Sequence, residues 1–433
     1  MFDASGDIDY GASTFNGSGN TNVKWHGGEG DDIIWGSKES IGDSIYYGGN
    51  GDDTFYPSFN AATNTNVKFV GQGGQDYFDL DFFGENGTQN VFYQIWGDWA
   101  YGPEDDPYNY GLQYGDPNLE EQLQGDDDVI FVPNSRPDRD RPGKRLDVFA
   151  GDGEDTVTAG EGWGRSFMNL GRGDDTLYLP TDFRRIYGYG GAGDDQMIAI
   201  PEETAREIVA DDRNLTQNLY GGAGNDRLEG NAKVADTRIL GEDDNDKLIG
   251  GNDNEMLFMA GGDDDDIIYG GDRTVTSEEL FGDSELNGTG TPVEGGNDQI
   301  FGGHDILGTQ TIAGGTFDDW IWSGTNVTGD IKIYGDNDTS TPLTEDATAL
   351  NINDGNDIIN IGNGNGDVFV WGQGGNDKII GGHGESQVEK LYGGSGDDKI
   401  WLVSPGQRSL DTAADANYGY GNDGNDNLYG SAA

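Results

Sequence analysis

Short apolar runs alternate with glycine- and aspartate-rich segments along the whole chain. One copy of the repeated pattern is GGEGDDII at residues 27–34, and further copies lie at 48–55, 221–228 and 393–400. Each copy ends in one or two apolar residues that follow the aspartate. Because glycine adopts the backbone angles of tight turns, every copy predicts a turn that leads into a short strand.

A second apolar run precedes each glycine turn, so the pattern predicts two strands per repeat. Runs before the turn occupy residues 67–70, 167–170, 185–187, 331–334 and 389–392. Runs after the turn occupy residues 33–35, 176–178, 358–359 and 399–401. The commonest spacing between turns is 20 to 23 residues. One coil therefore consists of a strand, a glycine turn, a second strand and a return loop.

Stacked coils of this kind predict an all-β fold, a parallel β-roll or β-solenoid with two facing parallel sheets. About 16 coils of about 20 residues fill residues 1–433 as one continuous array, because such an array grows along one axis. We expect an N-terminal lead at 1–26, turn insertions at about 98–125, 283–295 and 336–354, and a return-loop helix at about 201–210.

The repeated phrase resembles the calcium-binding nonapeptide repeat of RTX proteins, GGxGxDxUx. The resemblance implies that turn carbonyls and the sixth-position aspartates of neighbouring turns share Ca²⁺ ions, which suits the oxygen preference of calcium. Copies with Asp244 or Asp264 at the fourth position lose a glycine, and Glu255 replaces the aspartate in one copy. The implied metal ligands are Asp32, Asp53, Asp76, Asp127, Asp155, Asp175, Asp195, Asp226, Asp246, Asp266, Asp298, Asp319, Asp357, Asp367, Asp377, Asp398 and Asp426.

The spacing of these aspartates predicts calcium mainly along one edge of the solenoid. Successive turns come closer, by 9 to 11 residues, only around Glu255 and Asp367. There the return loop is itself a glycine turn, and both edges could bind metal.

Composition supports a role for cations and excludes some partners. The net charge is −57, and the chain has no cysteine to form disulfides. Such a chain repels nucleic acid and anionic membranes, and no apolar stretch is long enough for membrane insertion. About seventeen filled sites would add about thirty-four positive charges.

One basic segment stands out in this acidic chain, at residues 135–145. With two later arginines it predicts a docking face for an acidic surface of a neighbouring subunit or for an anionic glycan. The alternative is pairing with acidic residues of the same chain. The candidate interface residues are Arg136, Arg139, Arg141, Lys144, Arg145, Arg184 and Arg185.

The sequence predicts a calcium-stabilised extracellular structural protein that assembles head to tail with itself into a filament, sheath or surface layer. Alternatives are a monomeric adhesin or glycan-binding protein with a cell-surface polymer as its partner, and an enzyme acting on acidic polysaccharide. We expect no enzyme, since the three histidines form no HExxH motif. Residues 1–6 lack the features of a signal peptide, so we expect type I-like secretion without one.

Overall fold

The structure is a computed structural model of the 433-residue chain. It describes most of the repeats and leaves out several connecting segments and both termini. The described residues are 23–35, 44–56, 65–79, 91–98, 127–132, 145–160, 162–180, 183–199, 215–283, 295–336, 355–382, 388–402 and 417–430.

The chain separates into two compact units, and the first unit spans Met1–Leu215. Its odd-numbered strands lie side by side in chain order in one parallel sheet, and its even-numbered strands do the same in another. These strands are β1 Val23–Glu29, β2 Ile33–Trp35, β3 Ser44–Asn50, β4 Thr54–Tyr56, β5 Thr65–Gly73, β6 Tyr77–Asp79, β7 Val91–Asp98, β8 Val129–Phe131, β9 Arg145–Asp152, β10 Thr156–Thr158, β11 Arg165–Arg172, β12 Thr176–Leu179, β13 Arg185–Ala192 and β14 Gln196–Ala199.

The second unit spans Thr216–Ala433 and has the same arrangement of long and short strands. These strands are β15 Thr216–Ala223, β16 Arg227–Glu229, β17 Asp236–Asp243, β18 Lys247–Ile249, β19 Met256–Gly262, β20 Ile267–Tyr269, β21 Ser277–Asp283, β22 Gln299–Phe301, β23 Thr309–Gly315, β24 Trp320–Trp322, β25 Ile331–Asp336, β26 Ile358–Asn360, β27 Val368–Gln373, β28 Lys378–Ile380, β29 Glu389–Ser395, β30 Lys399–Trp401, β31 Tyr418–Asp423 and β32 Asn427–Tyr429.

Each coil joins one long strand to one short strand through an aspartate turn, and a return loop leads to the next coil. The core lies between the two sheets. Phe55 of a short strand meets Phe69 of a long strand edge to face, with ring centroids 6.0 Å apart, and neither side chain is exposed. The middle residue of a short strand points inward, as Ile268 and Ile300 do, because side chains alternate along a strand. The predicted all-β solenoid of two parallel sheets is confirmed.

The three turn insertions begin after a long strand and end before a short one, at β7–β8, β21–β22 and β25–β26. They therefore start and finish at the edge that carries the aspartate turns. The inserted segments themselves, the N-terminal lead up to residue 22 and the helix expected at 201–210 lie outside the described residues. No helix long and apolar enough to cross a membrane occurs in the described ranges.

Polar side chains enter the core of the second unit beside its return loops. Glu278 is fully buried on β21, next to Gln310 on β23 in register. The Gln310 amide donates to Oε2 of Glu278 at 2.6 Å, and the Gly303 N–H donates to the same carboxylate at 3.1 Å. Burial raises the pKa of Glu278 to about 7, although these hydrogen bonds favour the charged form. The carboxylate holds the backbone of a return loop in place.

Replacing Glu278 by Gln should make stability less dependent on pH. The raised pKa means that the stabilising contribution of Glu278 is present below pH 4.5 and is lost as the pH rises through about 7. In saturating calcium, Glu278→Gln should melt at a higher temperature than the parent at pH 8.5, with little difference at pH 4.5. Glu279→Gln removes the same charge from the neighbouring outward position and is the control. An equal shift in both variants would contradict this role of Glu278.

Candidate metal-binding turns

The aspartate turns use left-handed backbone angles at the second and fourth positions of the repeat. Gly49 and Gly51 both have φ of 129°. Several turns place other residues at these positions and keep the angle, with φ of 90° at Glu242 and 71° at Asp244 in one turn and 70° at Phe317 in another. Side chains there cost conformational energy, so the turn shape is imposed by stacking on neighbouring coils. Loss of the fourth-position glycine at Asp244 does not change the turn.

A buried row of aspartates runs along this edge within each unit. The N–H of each aspartate donates to Oδ1 of the aspartate in the next coil, for example from Asp53 to Asp76 at 2.9 Å and from Asp246 to Asp266 at 2.7 Å. The side chains of the row are at most 3% exposed, except for half-buried Asp426. We call this row the aspartate ladder: Asp32, Asp53, Asp76, Asp128, Asp155, Asp175 and Asp195 in the first unit, and Asp226, Asp246, Asp266, Asp298, Asp319, Asp357, Asp377, Asp398 and Asp426 in the second.

The second carboxylate oxygen, Oδ2, lies against the first glycine of its own turn. A Cβ on Gly261 would overlap Oδ2 of Asp266, and it would also meet the carbonyl oxygen of Gly282 in the next coil at 2.5 Å. Thirteen described first-position glycines show this contact with a ladder aspartate. In these thirteen turns the first-position glycine leaves room for the carboxylate. Oδ2 is buried without a hydrogen-bond partner in Asp53, Asp175, Asp246, Asp266, Asp298, Asp319, Asp377 and Asp398.

Burial and mutual repulsion raise the pKa of the ladder carboxyls. Burial is the largest cause and raises the pKa of Asp53 to about 7 and that of Asp246 to about 8. The pKa of Asp266 reaches about 10, because the Asp298 carboxylate adds to the effect of burial. A row of buried anions this close is unfavourable at neutral pH unless a proton or a cation neutralises it.

Calcium fits this arrangement. It takes six to eight oxygens at about 2.3–2.6 Å in irregular geometry, including backbone carbonyls. Oδ2 of a ladder aspartate and the first-position carbonyl of the next coil lie on the same side of each turn. Among the described residues, no three histidine, aspartate or glutamate side chains group together as metal ligands. A site here must therefore combine carboxylates of the ladder with turn carbonyls, and bound Ca²⁺ would supply positive charge to the buried row.

Asp127 lies outside the ladder, so the sequence interpretation was wrong by one residue there. Asp128 takes the ladder position, accepting the N–H of Asp76 at 2.7 Å. Asp127 belongs to an exposed row at the fifth position of the repeat, where its Oδ1 accepts the N–H of Glu154 at 2.9 Å. Because aspartates occupy all three positions 126–128, the sequence alone does not show which of them is the sixth residue of this repeat. The fifth-position row was not recognised from the sequence, although Asp or Asn recurs at that position.

Asp367 and Glu255 lie on the opposite edge. Each residue comes immediately before a long strand, β27 or β19, and so belongs to a return loop. The Asp367 N–H donates to Asp330 Oδ1 at 3.2 Å, and Asp367 Oδ1 accepts the Val388 N–H at 3.1 Å. The structure therefore does not bring Asp367 together with the other predicted ligands. The remaining fifteen predicted ligands all stand in the ladder.

Two aspartates at the insertions have a role that the sequence did not reveal. Asp283 and Asp336 occupy the second turn position, just before the inserted segments. Asp336 Oδ1 accepts the Gly355 N–H at 2.6 Å beyond the insertion, and its Oδ2 accepts the Gly374 N–H of the next coil at 2.7 Å. Asp283 holds Gly296 and Thr316 in the same way. The carboxylate closes the turn from which the chain departs.

Two turns of the first unit carry a side chain at the first position. Ala150 and Leu170 stand where other turns have glycine, and both are fully buried. Their side chains share the edge of the core with the carboxylates of Asp155 and Asp175. These two turns therefore offer less room beside the ladder than the glycine turns do.

The predicted basic interface is only partly described. Arg136, Arg139, Arg141 and Lys144 lie outside the described residues. Arg145 forms an ion pair with buried Asp147, with Nη2 and Oδ2 2.6 Å apart. Exposed Arg184 and Arg185 precede and begin β13, on the return side of the coil.

Exchanging adjacent aspartates tests the assignment of the ladder. Asp128→Asn replaces an anionic ladder oxygen by an amide group and should lower the free energy of unfolding in calcium by about 1–3 kcal/mol. Asp127→Asn keeps the exposed acceptor and should change it by less than about 0.5 kcal/mol. Denaturant titrations followed by circular dichroism measure both values. A larger loss in Asp127→Asn would place the ladder at the wrong residue.

Comparison with known proteins agrees with the geometry of the turns. The family model described as RTX calcium-binding nonapeptide repeat (4 copies) matches residues 26–38, 217–232, 307–325, 383–402 and 412–433. The search of curated proteins gave no match. RTX nonapeptide repeats bind calcium, and the matched segments contain ladder aspartates of both units. The chain therefore carries RTX calcium-binding nonapeptide repeats within a parallel β-roll.

Proposed function

We propose that the protein is an extracellular structural component whose solenoid is held folded by calcium along the aspartate ladder. One observation carries this proposal. Eight ladder carboxylates of the described chain have an Oδ2 atom that is buried without a hydrogen-bond partner. Buried polar atoms normally have partners, and a recurring exception at the same repeat position calls for a ligand.

Charge makes the ligand a cation. The chain carries 81 acidic and 24 basic residues, and burial and neighbouring carboxylates raise the pKa of most of the ladder members that lack an Oδ2 partner. Calcium binding would remove the repulsion and add carbonyl coordination in the same step. Because the turns exist only when coils stack, binding free energy becomes folding free energy.

The same coupling suits an extracellular protein. RTX-repeat proteins are typically secreted through type I systems. Calcium sites of extracellular modules have dissociation constants of about 10⁻⁴–10⁻³ M, so a chain of this type can stay expanded in the cell and fold outside it.

Removal of calcium should unfold the solenoid. With excess chelator at pH 7.5, far-ultraviolet circular dichroism should lose the β signal, and small-angle X-ray scattering should show an expanded chain. Millimolar Ca²⁺ should restore both signals, whereas Mg²⁺ at equal concentration should restore less, because Mg²⁺ demands a tight octahedral site. A β signal that survives thorough chelation would end the proposal that calcium holds the fold.

Self-assembly along the coil axis is the structural role we favour. Each strand in a unit pairs with the next strand in the same parallel register, for example Lys247 with Ile267 and Ile268 with Ile300. A strand at the end of such a sheet presents the same pattern of N–H and C=O groups to another chain, unless something covers it. Head-to-tail contacts that do not close give filaments or sheets.

The exposed arginines of the return side favour a second candidate, a monomeric adhesin bound to an anionic glycan.

Electron microscopy and sedimentation velocity in calcium separate self-assembly from the role of a monomeric adhesin. Filaments or large species that form in Ca²⁺ and dissolve in chelator are the expected result. Replacing Arg184 and Arg185 by Glu should weaken assembly if they dock against an acidic neighbour. A protein that stays monomeric over the full concentration range in calcium would contradict self-assembly.

A further inference from the structure

The outer face of the short-strand sheet in the second unit contrasts with the acidic composition of the chain. From β18 to β30, the first and third residues of each short strand point outward, because the middle residue is buried. We call these fourteen outward positions the short-strand face. They contain no aspartate or glutamate, although the chain has 81 such residues.

Three lysines supply the only charges of the short-strand face. Lys247 lies at one end, and Lys378 and Lys399 lie towards the other. Lys378 and Lys399 are exposed, and Lys247 is half-buried with its Nζ 5.5 Å from the ring centroid of Tyr269. The face is therefore a cationic region beside the edge that carries the acidic turns, and it attracts anionic groups.

Aromatic rings form a ridge between the lysines. The centroids of Tyr269 and Phe301 are 4.9 Å apart, those of Phe301 and Trp322 5.3 Å, and those of Trp322 and Trp320 4.5 Å. Tyr269 is 38% exposed and Trp320 is 40% exposed. Exposed apolar surface of this kind, bordered by polar groups, marks binding sites rather than a solvated face.

The regularity of the sheet restricts the shape of a partner. Strands pair in register from Lys247–Ile267 through to Lys378–Lys399, so outward groups recur about every 4.8 Å along a regular row. A linear polymer with repeating charges can follow such a row. The C–H faces of sugar rings can pack on the aromatic ridge, while carboxylate or sulfate groups meet the lysines.

We propose that the short-strand face binds a linear acidic polysaccharide. This site is separate from the arginines of the first unit, and it rests on the folded state that calcium stabilises in the proposed function. A second copy of the chain is a poorer occupant, because face-to-face contact would place lysines against lysines. An anionic lipid surface is also poorer, because a broad membrane would meet the exposed aspartates of the neighbouring turns, such as Asp265 and Asp318, whereas a single polymer chain can stay on the face.

The test compares two triple variants with equal loss of charge. Lys247→Gln, Lys378→Gln and Lys399→Gln together alter the short-strand face. Arg238→Gln, Lys332→Gln and Lys390→Gln together alter the outward side of the long-strand sheet in the same unit and serve as the control. Fluorescent fragments of hyaluronate and chondroitin sulfate are the probes, dextran fragments are the neutral comparison, and anisotropy in millimolar Ca²⁺ is the measurement.

The expected result is binding of an acidic probe but not of dextran, weakened at least about tenfold in the short-strand-face variant and less than about twofold in the control. Trp320→Thr, which keeps a strand-forming residue, should weaken binding without changing the circular dichroism spectrum. Equal weakening in both triple variants would overturn the site, and so would failure of both acidic probes to bind folded protein.

Two further measurements test whether the short-strand face binds a second copy of the chain or an anionic lipid surface instead. Sedimentation velocity of the short-strand-face variant reveals whether the face instead joins two copies, since loss of a dimer without any polysaccharide binding would overturn the proposal. Flotation with vesicles of phosphatidylserine and phosphatidylcholine measures lipid binding, and lipid binding without any polysaccharide binding would likewise overturn the proposal. A chain that fails to fold in calcium would contradict the proposed function, whereas a folded chain that binds no acidic probe contradicts this inference alone.

Discussion

The fold of this chain depends on keeping a row of carboxylates buried at one edge of stacked parallel strands. Each aspartate accepts the N–H of the coil before it and donates its own N–H to the coil after it. That contact fixes the register of the coils and brings like charges close together. First-position glycines make room for the carboxylates, and left-handed angles at the next positions turn the backbone around them. Burial without neutralisation is unfavourable, which is why the metal and the fold cannot be considered separately.

Much of this architecture could be predicted from the sequence, because every coil repeats the same alternation of apolar strands and polar turns. Spacings of 20 to 23 residues give one aspartate turn per coil, and the runs at 67–70 and 399–401 fall in β5 and β30. Residues such as Glu278 escaped prediction. It follows the two-residue alternation of its strand and points inward, but nothing local shows that a return-loop N–H and Gln310 will meet it there.

The sequence also did not show which aspartate of the turn at 125–128 belongs to the ladder, or what Asp336 does, and here the reason is different. Local sequence identifies a turn but does not say which of several carboxylates faces the core. Asp127 and Asp128 are chemically identical, and only stacking on Asp76 and Asp155 separates them. Asp336 resembles an ordinary turn residue, yet its two oxygens accept the N–H groups of Gly355, beyond the insertion, and of Gly374 in the next coil. In both cases, contacts with neighbouring coils determine the role of the aspartate.

Leu170 gives one part of the array apolar contacts that do not depend on metal. Its turn replaces the open first position by an apolar side chain, and the nearby return loops add Trp163 and Phe183, which are 4% and 2% exposed. Apolar contacts of this kind are available to a chain that holds no ion at all, whereas the carboxylate row becomes favourable only after neutralisation. The coils around β11 therefore keep some apolar stabilisation without ions, although the buried Oδ2 of Asp175 in the same turn still needs a cation. Once Ca²⁺ binds, folding would spread from these coils to their neighbours as each successive pair of turns is neutralised.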